Sequence, residues 1–356
     1  MIYKRHANVK DDITTEVLSN AKEHFSEGMT SFDSRRMDRK KHWCVISWDH
    51  SFRTTRDEFD HFPHSLEILL PCWTYFRKQD ATDNCGLILL GREKLGKWQT
   101  EFVNNGMGCD IQFHKNNPPV KIDKFGKIVD RKEIGLPEGI YHVPNLYLQR
   151  PRFGHIRYLD DRRDAHTLRR NFVSDDYIQK LKGDDKSLQI GMIQRPEGSS
   201  RRIGNIEEIK TALQADIPGA QISVTSFSFT TVKEQAKWFA TKDVIIAAHG
   251  AALANSVFIT HGTIVMIVYP PGAFFQSLEP LVEQSGGIAL DWYERGEDPY
   301  VASKLGSKNR YNEAMHGTQE MNPNVEGIVS RLHYALITTP TWHDLDKLFG
   351  PEPILW

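Results

Sequence analysis

No stretch of this sequence supplies the roughly 20 consecutive apolar residues that a membrane-spanning helix needs. The longest apolar run, Val244 to Ile259, is broken by His249, Gly250 and Asn255. The first ten residues, Met1 to Lys10, contain no apolar core of the kind a secretory signal requires, so no stable membrane insertion by this chain is expected. Cysteine is scarce. Cys44, Cys72, Cys85 and Cys109 all fall in the first third and lack C-x-x-C spacing, which argues against a zinc site and leaves their pairing open. No Asn-x-Ser/Thr acceptor occurs, and the compartment stays undetermined. Neither charge sign dominates: 45 Lys and Arg face 46 Asp and Glu, for a formal net charge of −1. A nucleic-acid partner needs a basic field that this balance does not provide, so none is expected. A Gly-x-x-x-x-Gly-Lys-Ser/Thr loop and a Gly-x-Gly-x-x-Gly fingerprint are both missing, which disfavours an unrelated doubly wound kinase or dehydrogenase.

The chain does have core material. Eight Trp, 18 Phe and 11 Tyr offset a polar mean hydropathy of −0.49. At roughly 150 residues per domain, 356 residues imply about two domains. Strand-like runs at Trp43–Trp48, Gly86–Leu90, Cys109–Phe113 and Ile140–Leu148 alternate with helical periodicity over His64–Gln79, containing Pro71, and over Glu93–Val103. A hairpin is expected at Val120–Val129. A charged run between Arg150 and Arg170 reads as a boundary. Beyond it the alternation repeats, with strands at Ser187–Gln194, Gln221–Thr225, Val244–Ala248 and Thr263–Tyr269. Asn205 with Glu208, and Thr231 with Glu234, read as capped helix starts. The alanine-rich segment after His249-Gly250 reads as the start of another helix.

Strands separated by helices of 10–15 residues mean βαβ units and mostly parallel sheets. The expected fold is therefore α/β with two Rossmann-like domains. The divisions are a polar extension over 1–34, whose basic sequel Ser34–Lys41 is a solvated face, an N-terminal domain over 35–172, a C-terminal domain over 173–315 and a helical tail over 316–356.

The richest segment is Ile245-Ile-Ala-Ala-His-Gly-Ala-Ala-Leu-Ala-Asn255. A buried strand ends, a glycine permits a tight turn, and small residues let a ligand approach the backbone. In open α/β sheets, ligands gather at the carboxyl ends of strands, where helix amides favour phosphate. Ordinary strand–helix packing, with His249 as a satisfied boundary histidine, is the competing account.

An ordered set of motifs surrounds that segment: Gln194-Arg195, Arg201-Arg202-Ile-Gly-Asn205, Glu234-Gln235, Asp243, His249-Gly-Ala-Ala-Leu-Ala-Asn255, Phe258 and Gly262. From about Ile190 to Gly272 the chain resembles the catalytic domain of glycosyltransferase family 61, which includes plant xylosyl- and arabinosyltransferases and animal O-linked N-acetylglucosaminyltransferases. Phe59-Asp-His-Phe-Pro-His-Ser-Leu-Glu67, with Pro71, is similar to the family's histidine-and-acid segment leading into a helix. Ile267 departs from the pattern, standing where many members carry a glutamate.

The resemblance implies a GT-B type architecture, two domains facing a cleft, and inverting transfer of a xylose- or N-acetylglucosamine-type sugar from a UDP-sugar donor to a glycan or protein acceptor. A non-catalytic glycan- or nucleotide-binding descendant of the fold is the alternative. The diphosphate leaving group must be stabilised by a metal or by fixed cations and amides. The lone Asp-x-Asp, Asp344-Leu-Asp346, lies outside the matched segment, so no metal and no cofactor are expected. Candidate donor-binding residues are Arg195, Arg201, Arg202, His249, Gly250, Ala251, Ala252 and Asn255. Direct displacement also needs a base for the acceptor hydroxyl, and the candidates are Glu67 first, then His64 and His61.

Overall fold

The structure, a computed structural model, describes residues 41–46, 62–114, 140–142, 158–182, 187–226, 231–271, 278–293 and 320–338. The expected hairpin at 120–129, the N-terminal extension, His61 and the Asp344–Asp346 pair lie outside these residues, as does most of the basic run before Lys41.

Two parallel sheets organise the chain. In the first, β1 (His42–Ile46), β2 (Cys85–Leu90), β3 (Asp110–His114) and β4 (Ile140–His142) lie in the order β3-β2-β1-β4. Helix α1 (Phe62–Lys78) connects β1 to β2, and Pro71 lies within it without ending it. The expected helix over Glu93–Val103 is shorter. It begins at Lys97 as α2 (Lys97–Glu101) and passes into a π turn over Phe102–Met107, which Gly108 ends at φ 67°. Two disulfides lash this sheet: Cys44–Cys72 ties β1 to α1, and Cys85–Cys109 ties the start of β2 to the approach to β3. Their Cα separations of 5.8 and 4.9 Å lie in the usual range for a bridge.

The charged run expected as a boundary folds, where described, into α3 (Arg162–Phe172), followed by α4 (Asp175–Lys182). Several of its described charges hold protein partners. Asp161 caps α3 by accepting from the Arg163 amide at 2.9 Å. Buried Asp164 accepts from Thr74 Oγ1 at 2.8 Å and Arg77 Nε at 2.6 Å, while its carbonyl accepts from Trp73 Nε1 at 2.9 Å. On its other side Arg169 Nη1 donates to the Ile259 carbonyl at 3.1 Å. Helix α3 therefore bolts α1 to the second half of the chain.

That half carries a five-stranded parallel sheet in the order β6-β5-β7-β8-β9. The elements are β5 (Gln189–Ile193), α5 (Ile206–Asp216), β6 (Gln221–Thr225), α6 (Val232–Ala240), β7 (Val244–Ala248), a 3₁₀ helix (Ala251–Phe258), β8 (Ile264–Val268), α7 (Glu279–Gln284), β9 (Ile288–Trp292) and α8 (Val325–Thr338). Every residue of β7 and β8 is buried, because both faces are covered. Ile245, Ala247, Val265 and Ile267 join the larger core with α6 and the 3₁₀ helix. Val244, Ile246, Ile264 and Met266 face a second core with α5 and α8.

The larger core runs without a break from Cys44, Leu66 and Trp73 of the first half to Phe258 and Leu281 of the second. Phe172 of α3 meets Phe258 edge-on, with centroids 5.2 Å apart, and Phe102 lies 6.3 Å from both. A fully buried Phe contributes about 1.5–3 kcal/mol through burial alone. The α/β class with two Rossmann-like parallel sheets is thus as the sequence implied.

Two local expectations are corrected. Thr231 and Glu234 form the capping box, but Asn205 and Glu208 do not. The Asn205 amide instead donates to the Pro323 carbonyl at 2.9 Å, so a distant segment has taken the side chain that would have capped α5. The segment after Gly250 is 3₁₀ rather than α, its first turn closed by the Leu253 amide on the Gly250 carbonyl at 3.0 Å.

Candidate functional site

The carboxyl edge of the second sheet gathers the candidate donor residues. Gln194, the residue after β5, shapes the arginine loop: its Nε2 donates to the Ile203 carbonyl at 2.7 Å, and its Oε1 accepts from the Arg195 amide at 3.0 Å. Arg195 and Arg201 both reach the turn after β7. A methyl group placed on Gly250 would lie 2.6 Å from Arg195 Nη1 and 3.6 Å from Arg201 Nη1. Gly250 is needed there for space, since its backbone is extended (φ 163°). Arg201 adopts φ 59°, a left-handed conformation that costs a residue with a side chain on the order of 1–3 kcal/mol. Arg201 Nη1 donates to the His249 carbonyl at 2.8 Å and lies 3.5 Å from its Nδ1. Arg195 is half-buried, its pKa lowered by that burial, and no ion pair to it occurs among the described residues.

His249 is buried, at 5% exposure. Burial, then the charges of Arg201 and Arg195, push its pKa down to about 4, so the imidazole is neutral near pH 7. A guanidinium has only donors to offer, so Nδ1 facing Arg201 is the accepting nitrogen and the ring proton sits on Nε2. The first residues of the 3₁₀ helix, Ala251 and Ala252, are half-buried, and their amides precede any intrahelical carbonyl.

Two expected donor residues stand differently. Arg202 forms an ion pair with Glu320, and it is Arg195 and Arg201 that lie against Gly250. Asn255 is fully buried, and its Nδ2 donates to Gln235 Oε1 at 2.7 Å and the Ala252 carbonyl at 3.0 Å. It holds the turn in shape from inside.

Of the candidate bases, His64 and Glu67 sit in the first turns of α1, which packs against the 3₁₀ helix. His64 Nδ1 lies 3.0 Å from Glu67 Oε1, with the histidine side chain 33% exposed and the glutamate 6%. A carboxylate accepts, so Nδ1 is the donor toward Glu67. Among the described residues no group of three His, Cys, Asp or Glu side chains converges as metal ligands, and no helix is long and apolar enough to cross a membrane.

Sequence reading missed four residues at this edge. Tyr269 and Tyr293 directly follow β8 and β9, and Tyr269 stacks on His249 at 5.1 Å and on Tyr293 at 4.9 Å. Glu279 accepts from the Tyr269 hydroxyl, and Asp291 lies beside Glu279. An aromatic immediately after an apolar strand was the available signal.

Parallel strands, a strand–glycine–helix turn and two converging guanidiniums make this edge suited to an anionic group. The sequence profile of the Glycosyltransferase 61 family matches residues 59–266, more than half of the chain, so the chain belongs to that family and is a glycosyltransferase, with a sugar donor and a glycan acceptor. No curated protein sequence matches it. Among solved structures, a glycosyl transferase family 9 protein from Veillonella parvula DSM 2008 is similar at 12% identity, covering 84% of this chain and 98% of its own, with a TM-score of 0.40.

Proposed function

We propose that the protein transfers a xylose- or N-acetylglucosamine-type sugar from a UDP-sugar to a glycan or glycoprotein acceptor, with inversion and without a metal ion. The observation that carries this reading is the convergence of Arg195 and Arg201 over the His249–Gly250 turn. A pyrophosphate seated there gains two guanidiniums and the leading amides at Ala251 and Ala252, which stabilise the charge that develops as the glycosidic bond breaks. Neutral His249 adds an Nε2 donor without a full charge of its own.

The acceptor side is assigned to the His64–Glu67 pair. The sequence ranks Glu67 first as base; its burial and its 3.0 Å contact with His64 favour the reverse, with Glu67 fixing the tautomer and His64 Nε2 taking the acceptor proton. Oxygen attack on the anomeric carbon from the face opposite the diphosphate then forms the inverted product in one step. The proton goes to His64 and the electron pair of the broken bond to the UDP oxygen.

Nucleotide release from a panel of UDP-sugars, measured after exhaustive chelation, tests the reading. Turnover with one pentosyl or N-acetylhexosaminyl donor is the expected result. Loss of all turnover on chelation, restored by manganese or magnesium, would remove metal independence. A donor carrying a nucleotide other than UDP as the sole substrate would remove the UDP assignment.

A further inference from the structure

The loop that carries Arg195 and Arg201 is gripped by a segment 118 positions further along the chain. The near foot of the loop is β5, where the Gln194 amide continues the sheet by donating to the Thr225 carbonyl at 2.9 Å. At the far foot, residues 202–205 run parallel to residues 320–323. The Met321 amide donates to the Arg202 carbonyl, and the Gly204 amide to the Met321 carbonyl, each at 2.7 Å, around a parallel bridge between Ile203 and Met321. Two side chains extend the contact: Arg202 pairs with Glu320, and Asn205 Nδ2 donates to the Pro323 carbonyl at 2.9 Å. Gly204 leaves the room for it, since a methyl group there would lie 2.5 Å from Asn322 Oδ1 and 2.7 Å from Glu320 Oε2. Ile203 and Met321 are both buried, in the core to which α8 contributes Ile328 and Leu332. Gln194 ties one foot to the other, donating to the Ile203 carbonyl at 2.7 Å and accepting from the Ile203 amide at 3.3 Å.

Arg201 directly precedes this grip, in the left-handed conformation at φ 59°. A residue with a side chain stays there only where its surroundings over-determine the backbone. Here the Arg202 carbonyl is fixed by Met321 and the Ile203 amide by Gln194, so the chain leaving Arg201 has one path. On that path the Arg201 guanidinium reaches the His249 carbonyl at 2.8 Å. We propose that the 320–323 segment is a clasp that holds Arg201 in its donor-binding conformation, with Arg202, Asn205 and Glu320 as positioning residues. Arg202, which the sequence offers as a donor contact, then serves the donor through its neighbour. That the held side chain meets a donor rests on the function proposed above; the clasp does not.

Electrostatics alone makes the opposite prediction. Glu320 is a negative charge near an anion site, so its removal by itself should draw UDP in more tightly. Opening the clasp should loosen UDP, because a relaxed Arg201 backbone carries its guanidinium off the His249–Gly250 turn. The Arg202–Glu320 pair is partly exposed, and such a pair contributes little in isolation, so both side-chain ties must be cut to open the clasp.

Asn205→Ala combined with Glu320→Gln cuts both ties and leaves buried Ile203 and Met321 in place. UDP calorimetry on the folded variant should show affinity several-fold below native, although a negative charge has gone; equal or tighter binding overturns the clasp. In an Arg201→Ala background the same two changes should cost no further affinity, because the clasp acts through that side chain, and an equal further loss overturns it. Charge exchange separates positioning from direct contact. Arg202→Glu should weaken UDP, and adding Glu320→Arg should restore most of the affinity; failure to restore it means that Arg202 touches the diphosphate itself and overturns its positioning role. Hydrogen exchange on the native protein needs neither a variant nor a ligand: the Gly204 and Met321 amides should be protected, and free exchange at both overturns the clasp. Protected amides in a protein that binds no UDP leave the clasp standing and sink the donor assignment instead.

Discussion

The two sheets are stabilised by different means. Among the described residues the first has four strands and both disulfides; the second has five strands, no cysteine, and two central strands buried on both faces. The bridges span 28 and 24 residues, and closing loops of that length in the unfolded chain is worth about 3–4 kcal/mol each. The second sheet relies on burial, and spends its strand ends on buried polar groups that a ligand site requires. Stapling the first half and preorganising the second fits the division of labour proposed above, with the base on one helix of the first half and the diphosphate frame at the edge of the second sheet.

Removing the base is the harshest way to break this comparison. His64→Ala is expected to lower turnover by roughly 10²–10⁴-fold with UDP affinity unchanged by calorimetry, because the loss falls on the first half only. Glu67→Gln, which keeps the ring but weakens its anchor, should cost less. A Glu67→Gln enzyme more impaired than His64→Ala would return the base to Glu67.

Replacing Cys44 and Cys72 by serine should lower stability by about 3–4 kcal/mol. Hydrogen exchange locates the damage: amides of β1 and β2 should lose protection while those of β7 and β8 keep theirs. Equal loss in both sheets would mean that the continuous core and the α3 bolt make one cooperative unit of the two halves.

Donor binding probes the second half. Arg195→Ala or Arg201→Ala should weaken UDP by about 1.5–3 kcal/mol, the range for hydrogen bonds to charged groups, without moving the urea midpoint of the first sheet. Gly250→Ala is the finer version. The added methyl displaces the mobile end of Arg195, so affinity should fall while stability changes little. Undiminished UDP affinity in all three variants would remove the clamp.

The smallest expected effect is on acid stability. His249 is held below its unfolded value, so the folded state binds fewer protons than the unfolded one between about pH 4 and about pH 6.5. Stability from this group is present above pH 6.5 and declines as the pH falls toward 4. Going from pH 7 to pH 5 should cost on the order of 2 kcal/mol, and His249→Gln should lack that part of the decline in urea unfolding. An identical acid limb in the variant would contradict the neutral, buried imidazole.

Much of the fold was legible because periodicity and turn chemistry are local. The apolar run Val244–Ala248, the glycine after His249 and the Thr231–Glu234 capping box each depend on neighbours within a few residues. The same logic misread Asn205, because its amide was claimed by Pro323, more than a hundred positions away. Cysteine pairing was undecidable for a related reason: four thiols permit three connectivities, and only the packing of β1 on α1 and of β2 beside β3 selects one.

Sequence order thus settled the class: strands and helices alternate, the strand–turn–helix at His249 is contiguous, and the arginines fall in one loop after one strand. Tertiary structure decided which arginine serves the turn, sending Arg202 to Glu320 and Arg195 with Arg201 to Gly250. It also stacked His249, Tyr269 and Tyr293, residues 20 and 24 positions apart in the chain, and set Glu279 on the Tyr269 hydroxyl. Parallel strands lie side by side whatever the length of the connection between them, so the residues at their carboxyl ends become neighbours through register alone, a relation that no local pattern encodes.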